Sequence, residues 1–429
     1  MRLTRLLFFA LLNPIWSLNG SAIAAENDLT LDQAIALALQ ANPAIAVVMR
    51  EREVESAQAL QAATRPNPTL SAQVEDLRSQ YRNSTILISQ QLETAGKRDT
   101  RMAAADVNLA IADVDILVVQ AETSAKVYAA FYQVLAAQQA FKLANELLQI
   151  STQSKETTAK RVLAGKVSPV EETKAKVAEA SIKIELATAN QQLVSAKERL
   201  SHLWGNAHVG NALDNSAYTA IGELDKLSEA APLNDLIVQL QIAPRLQQAM
   251  LSIKQKQALG DIEKAKQTPD VTLSLGAKRN EELGGITQAV IGVSIPIPVF
   301  DKNQGNLQSA FARKLQAEDE KVALENQLRT DLMEAYGRRQ LQIDTANTYR
   351  NDILQGAQSA YEAARKGFEF GKFSFLEVLD AQRTLFQAKT QFIQTLVLAR
   401  LAEADIQKIL GTAFKFTTNK LTTNLKETP

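Results

Sequence analysis

Gly165-Lys166-Val167-Ser168-Pro169-Val170-Glu171 returns as Gly371-Lys372-Phe373-Ser374-Phe375-Leu376-Glu377, 206 residues later. In each heptapeptide, Gly suits the left-handed position that ends a helix. Ser with Glu three residues on is a capping-box pattern that starts the next helix. The segment therefore reads as a tight turn between two helices, written twice. The repetition extends outward. Pro43 pairs with Pro244 and Pro68 with Pro269, both 201 residues on, while Ser89 and Lys97 pair with Ser294 and Lys302, 205 on. Leu200 to Gly205 is echoed by Ile406 to Gly411. The offset is expected to grow in turns, where insertions cost least. Copies of this length are too long for a solenoid unit. They predict one architecture built from two similar halves.

Each half reads helix, strand pair, very long helix, tight turn, long helix. Leu29 to Thr64 is helical with a new segment at Pro43, and Arg65-Pro66-Asn67-Pro68 breaks it. Helical pattern then runs from about Arg98 to Leu163 and from Ser168 to about Leu203. Val107, Ile111, Val114, Val118, Ala121, Ala125, Tyr128, Tyr132 and Leu135 keep 4-3 spacing, the seam of supercoiling helices. At 1.5 Å per residue such a helix is roughly 90 Å long, more than a compact domain needs.

The strand pairs alternate at period two. Leu70, Ala72, Val74, Ile86, Ile88 and Leu92 fall on one face, as do Val271, Leu273, Leu275, Ala277, Ala289, Ile291, Val293 and Ile295 in the second half. A sheet facing a soluble core alternates in the same way. Two features favour an outer-membrane span: strands near the ~9–11 residues a tilted crossing needs, and no spare amphipathic helix to cover the apolar face. Four strands cannot close a barrel, and open edges are not tolerated in lipid. Oligomerisation is therefore expected, three copies giving a barrel of about twelve strands.

Arg2 and Arg5, the apolar run Leu6 to Ile15 and Ala22-Ile23-Ala24 predict a secretory signal over 1–24. The remaining divisions expected are a first repeat over 25–205, a Gly/Asn/Ala/Ser-rich linker over 206–232, a second repeat over 233–411 and a polar tail over 412–429. The 47 basic and 47 acidic residues balance and are interspersed, against a nucleic-acid binder. Aromatics are only 5%, as in long helices or coiled coil. No Cys is present, so stability must come from packing. His202 and His208 lack the i, i+4 spacing of a helical metal site, so neither a metal site nor a cofactor is expected. No nucleophile elbow, Walker loop or zincin motif occurs, so no catalytic residues are expected either.

Leu31-Asp32-Gln33-Ala34 with Asn42-Pro43, Ser89-Gln90-Gln91-Leu92-Glu93-Thr94-Ala95-Gly96-Lys97-Arg98, and Gly371-x-x-Ser374-x-Leu376-Glu377-Val378-Leu379-Asp380-Ala381-Gln382 resemble the TolC-like outer-membrane efflux channel family across nearly the whole chain. Ile295-Pro296-Ile297-Pro298-Val299-Phe300-Asp301-Lys302-Asn303-Gln304-Gly305-Asn306 is similar to its cobalt–zinc–cadmium resistance branch. The resemblance implies a mainly α fold with a β-barrel segment: a homotrimeric outer-membrane barrel continued by an α-helical periplasmic tunnel. It implies two partners, a periplasmic adaptor and an inner-membrane resistance–nodulation–division pump. Gly165, Lys166, Ser168, Gly371, Lys372 and Ser374 would then be adaptor-contact tips, and Glu377 and Asp380 a periplasmic gate. Phe373 stands where relatives can carry a basic gate residue. Many relatives carry a lipid-anchored Cys, which is missing here. A drug-efflux or type I secretion duct of the same fold remains an alternative, as does a periplasmic coiled-coil adaptor.

Overall fold

A computed structural model describes residues 27–205, 218–227 and 231–411. The predicted signal, His208 and the tail lie outside the described residues. The first half runs β1 (Asn27–Leu29), α1 (Leu31–Ala41), α2 (Pro43–Ala62), β2 (Thr69–Glu75), β3 (Asn83–Leu92), α3 (Lys97–Leu163) and α4 (Pro169–Ser201). After β4 (Tyr218–Ala220), the second half runs α5 (Leu233–Leu240), α6 (Pro244–Ala265), β5 (Val271–Asn280), β6 (Ile286–Ser294), α7 (Gln304–Thr348), a π-helical turn (Tyr349–Ile353), α8 (Leu354–Glu369) and α9 (Phe375–Leu410).

Local chemistry fixes the corners. Thr30 caps α1 in a capping box with Gln33, so Leu29 belongs to a strand and not, as expected, to the helix. The Asn42 side chain accepts from the Ala44 N–H at 2.8 Å, and Pro43 sits at the first helical position, where a missing N–H costs nothing. Asn42 Nδ2 also donates to the Leu203 carbonyl at 2.6 Å, tying this corner to the chain just past α4. In the second half the end of α9 meets the matching corner: a Cβ on Gly411 would collide with the Pro244 ring.

The 67 residues of α3 make a rod about 100 Å long, which packs on α2, α4, α6 and α9. Of its expected seam, Ala121, Ala125, Tyr128, Tyr132 and Leu135 are buried, whereas Val107, Ile111, Val114 and Val118 are half-buried. Three apolar clusters pack the bundle. One joins α1, α3 and α4 around Ala38, Phe131, Leu200 and Trp204. A second joins α5, α6, α7 and α9 around Leu240, Leu246, Leu332 and Ile406. The third lies towards the second turn, around Tyr361, Phe368, Phe375 and Val378.

The stretch 206–232, expected to be an irregular linker, contains a strand. Its described part pairs β4 in parallel with β1, Asn27 opposite Tyr218 and Leu29 opposite Ala220. Tyr218 and Leu224 are fully buried in the first cluster. A three-residue strand whose partner is nearly 200 residues away leaves no local periodicity to read.

The two hairpins join into one antiparallel sheet, β2-β3-β5-β6. Leu70 lies opposite Ile88, Ile88 opposite Leu275, and Leu275 opposite Ile291. The predicted apolar residues therefore share one face, and most are exposed, Ile291 at 79%. On the other face, Ser89 and Ser274 hydroxyls meet at 2.9 Å and Lys278 reaches Glu75 at 3.4 Å.

These registers correct the alignment of the copies. Leu70 pairs with Ile88, and Leu273 with Val293. With Ser89 equivalent to Ser294, the counterpart of Leu70 is Leu273, 203 residues on. Pro269 thus matches Pro66 rather than Pro68. Nor does the offset grow only in turns. One step falls inside α6, which has 22 residues where α2 has 20. The last step, from 205 to 206, is matched by the π-helical turn at Tyr349–Ile353, the form in which a helix absorbs an extra residue.

Candidate functional site

The two turns end their helices identically. Gly165 and Gly371 have φ of 68° and 73°. Lys166 N–H donates to the Arg161 carbonyl and Gly165 N–H to Val162, both at 2.9 Å; Lys372 and Gly371 do the same to Gly367 and Phe368 at 2.8 and 2.9 Å. This is the Schellman closure, which satisfies carbonyls left over at a helix end. Gly165, Lys166, Ser168, Gly371, Lys372 and Ser374 are all exposed, at the ends of the two helical hairpins.

Their exits differ. Ser374 forms the predicted capping box: its Oγ accepts from Glu377 N–H at 3.4 Å, and Glu377 Oε2 accepts from Ser374 N–H at 2.6 Å. Ser168 does not. Its Oγ accepts from Val170 N–H at 3.3 Å, and Glu171 turns to Lys174 at 3.6 Å. A hydroxyl that satisfies the second N–H of the helix leaves the third for other partners. Glu377 is therefore a cap first. Asp380 lies one turn further along α9, is exposed, and has no ion pair among the described residues. The first copy places Lys174 at the equivalent position, so only the second presents two acids there.

The turns also touch each other, through residues that sequence reasoning missed. Arg161 Nη1 donates to the Phe368 carbonyl at 2.6 Å, and its guanidinium lies 4.3 Å from the Phe368 ring centre. That ring meets Phe375 at 5.7 Å. The counterpart of Arg161 in the second copy is Gly367, where a Cβ would run into the Phe373 ring. A long cation in one copy facing a glycine in the other is a difference that comparing the copies position by position could have found.

A second missed group lies mid-bundle. Arg400, 4% exposed, donates to Glu403 Oε2 at 3.1 Å, to Tyr128 Oη at 3.2 Å, and to the Glu223 and Lys226 carbonyls at 3.2 and 2.6 Å. Burial pushes the Tyr128 hydroxyl far above its usual range. Arg350, in the π-helical turn, holds the Asp225 carbonyl at 3.1 Å. Two guanidinium groups thus strap residues 223–226 to the helices.

Among the described residues no group of three or more His, Cys, Asp or Glu side chains could hold a metal ion. His202 is exposed in a single 3-10 turn. The arrangement offers a long helical bundle with exposed tips at one end and a sheet with a bare apolar face at the other.

That arrangement has close parallels. Solved structures of CusC and of the outer membrane protein VceC from Vibrio cholerae superpose with TM-scores of 0.74 and 0.72, at 19% and 20% identity. Each superposition covers 89% of this chain, with 91% and 96% of the other. At that identity the likeness concerns fold. In sequence, the cobalt-zinc-cadmium resistance protein CzcC of Cupriavidus metallidurans is 38% identical over 387 residues, 90% of this chain and 91% of that protein. The nickel and cobalt resistance protein CnrC of the same organism is 27% identical over 294 residues, 66% of each. The model of the outer membrane efflux proteins matches residues 34–206 and 238–412, one block in each copy. By these matches, and by the hairpins and sheet they coincide with, the chain belongs to the outer membrane efflux protein family.

Proposed function

We propose that three copies of this chain form the outer-membrane exit duct of a tripartite efflux assembly, and that the cargo is heavy-metal cations. The observation that carries the duct is the four-stranded sheet. One face is apolar and exposed, and the outer edges of β2 and β6 have no partner among the described residues. In lipid such edges must be paired, because an unsatisfied backbone group costs several kcal/mol there. Three sheets joined edge to edge close a barrel of about twelve strands. The long helices continue it as a periplasmic tunnel. The cargo rests on the 38% identity, over most of both chains, to a cobalt-zinc-cadmium resistance protein.

The duct itself does no chemical work. A proton-driven inner-membrane pump and a periplasmic adaptor deliver the ions, and the exposed tips at Gly165–Ser168 and Gly371–Ser374 are the surfaces that meet the adaptor. Glu377 and Asp380 of three copies put six carboxylates around the narrow end. Such a ring attracts cations and repels anions, while weak binding lets them leave. Cells lacking this chain but retaining pump and adaptor should accumulate zinc, cobalt or cadmium and lose tolerance to them. The intact chain should restore export. Restoring tolerance only to organic biocides would overturn the cargo assignment.

A further inference from the structure

The internal duplication lets one observed seam stand for one that a single chain cannot contain. Within the chain, the first repeat meets the second along β3 and β5. Ser89 lies opposite Ser274, their hydroxyls at 2.9 Å. Just past the strands, Asp270 locks the joint between sheet and helices. Its carboxylate accepts from Lys97 Nζ at 2.6 Å, from Gln91 Nε2 at 2.8 Å and from the Thr94 N–H at 3.0 Å. If the chain is a trimer, as the proposed function requires, the second repeat must meet the first repeat of the next copy along β6 and β2.

We propose that this seam between copies repeats the β3–β5 register, with Ser294 opposite Ser71 of the next copy, and that its joint lacks the ion pair that closes the internal one. The corrected offsets are 203 for β2 with β5 and 205 for β3 with β6. Applied to the internal seam, they turn Ser89–Ser274 into Ser294–Ser71, serine on serine again. Ile88–Leu275 becomes Val293–Ala72 and Ile86–Ala277 becomes Ile291–Val74, so the apolar face runs unbroken round the ring. The lock changes. Lys97 becomes Lys302, but Asp270 becomes Asn67, Gln91 becomes Pro296 and Thr94 becomes Val299. The positions that would form the joint are uncovered in the single chain: Asn67, Val299, Phe300 and Lys302 are exposed, Phe300 at 93%. Their counterparts Asp270, Thr94 and Lys97 are partly covered. One Lys facing Asn, amid Pro and Val, leaves the joint between copies weaker than the joint within each copy, so relative movement of the copies should concentrate there.

The absence of Cys makes the register directly testable. Ser294→Cys with Ser71→Cys should give, under mild oxidation of the detergent-extracted protein, a disulfide-linked ladder ending at three chains. Ser89→Cys with Ser274→Cys should give a disulfide within one chain. Ser294→Cys with Gln73→Cys, the register slipped by two, should link far less. Preferential linking at Gln73, or no link at Ser71 in a protein that light scattering shows to be trimeric, would overturn the seam. A monomer before oxidation would instead overturn the trimer on which the seam rests. The joint has its own readout. Asn67→Asp should raise the temperature at which trimers dissociate in dodecyl sulfate, and Lys302→Met should cancel the rise. A rise that survives Lys302→Met, or no rise at all, would contradict a joint in which Lys302 lacks only its acid. So would a label at Val299→Cys that is quenched by lipid-borne quenchers, since this segment would then face the membrane.

Discussion

The tip glycines offer substitutions that separate folding from the proposed docking. Gly371 has a φ of 73°, and an added Cβ meets only Arg161 Nη2, at 3.7 Å. Gly371→Asp therefore costs about 1–2 kcal/mol of backbone strain and should leave the bundle intact by circular dichroism. Efflux should nevertheless be abolished, because the proposed adaptor-contact surface would be altered. Loss of the folded bundle would show that the tip serves assembly instead. Gly367→Ala should behave differently, since the new methyl must displace Phe373 and disturb the tip's packing. Asp380 is a cleaner probe of the proposed gate than Glu377, whose carboxylate is committed to Ser374. Asp380→Ala should lower cation preference and divalent block in single-channel recordings without changing stability. Unchanged selectivity would make Asp380 ordinary surface charge. The helix-ending glycines Gly165 and Gly371 and the capping box of Ser374 with Glu377 were legible in the sequence. Arg161 was not, because its partner is a carbonyl 207 residues away and no local pattern announces such a contact.

Substitutions in the sheet test which solvent each face meets. Leu273 and Ile291 are 44% and 79% exposed, on the apolar face. Replacing either with Arg should cost about 2–4 kcal/mol if the position lies at mid-membrane, seen as less assembled protein in the outer membrane. Arg at Thr272 or Ser274, on the other face, should be mild; equal tolerance on both faces would reject the assignment. The lock at Asp270 adds a pH dependence. Burial opposes its ionisation, but Lys97, the Thr94 N–H and Gln91 together hold the carboxyl below its ordinary value. A depressed carboxylate stabilises the fold fully above its unfolded pKa, and that contribution is lost as pH falls through the folded one. Asp270→Asn should therefore lower thermal stability at pH 7, with the difference shrinking below about pH 4. Strand alternation and helix length were readable because they repeat every two or three to four residues. The register between hairpins was not. Proline matched to proline gave an offset of 201, whereas the ladder of hydrogen-bonded strands requires 203 at Leu70.

Each repeat spans bundle and sheet, and the strap over residues 223–226 fastens the segment that joins the two repeats. Arg400→Met would leave Tyr128, Glu403 and two carbonyls short of their buried donor, at a cost of about 3 kcal/mol. The strap should then become a protease-sensitive site in the folded protein. The sequence could not show this, because Arg400 looks like any helix surface charge until α3, α9 and the linker are brought together. On the proposed function, one chain is a third of a closed duct. The most direct test is the detergent-corrected mass, by light scattering, of the protein extracted from outer membranes. Three chains per particle is the predicted result. A stable single chain in the membrane, with both sheet edges open, would contradict it.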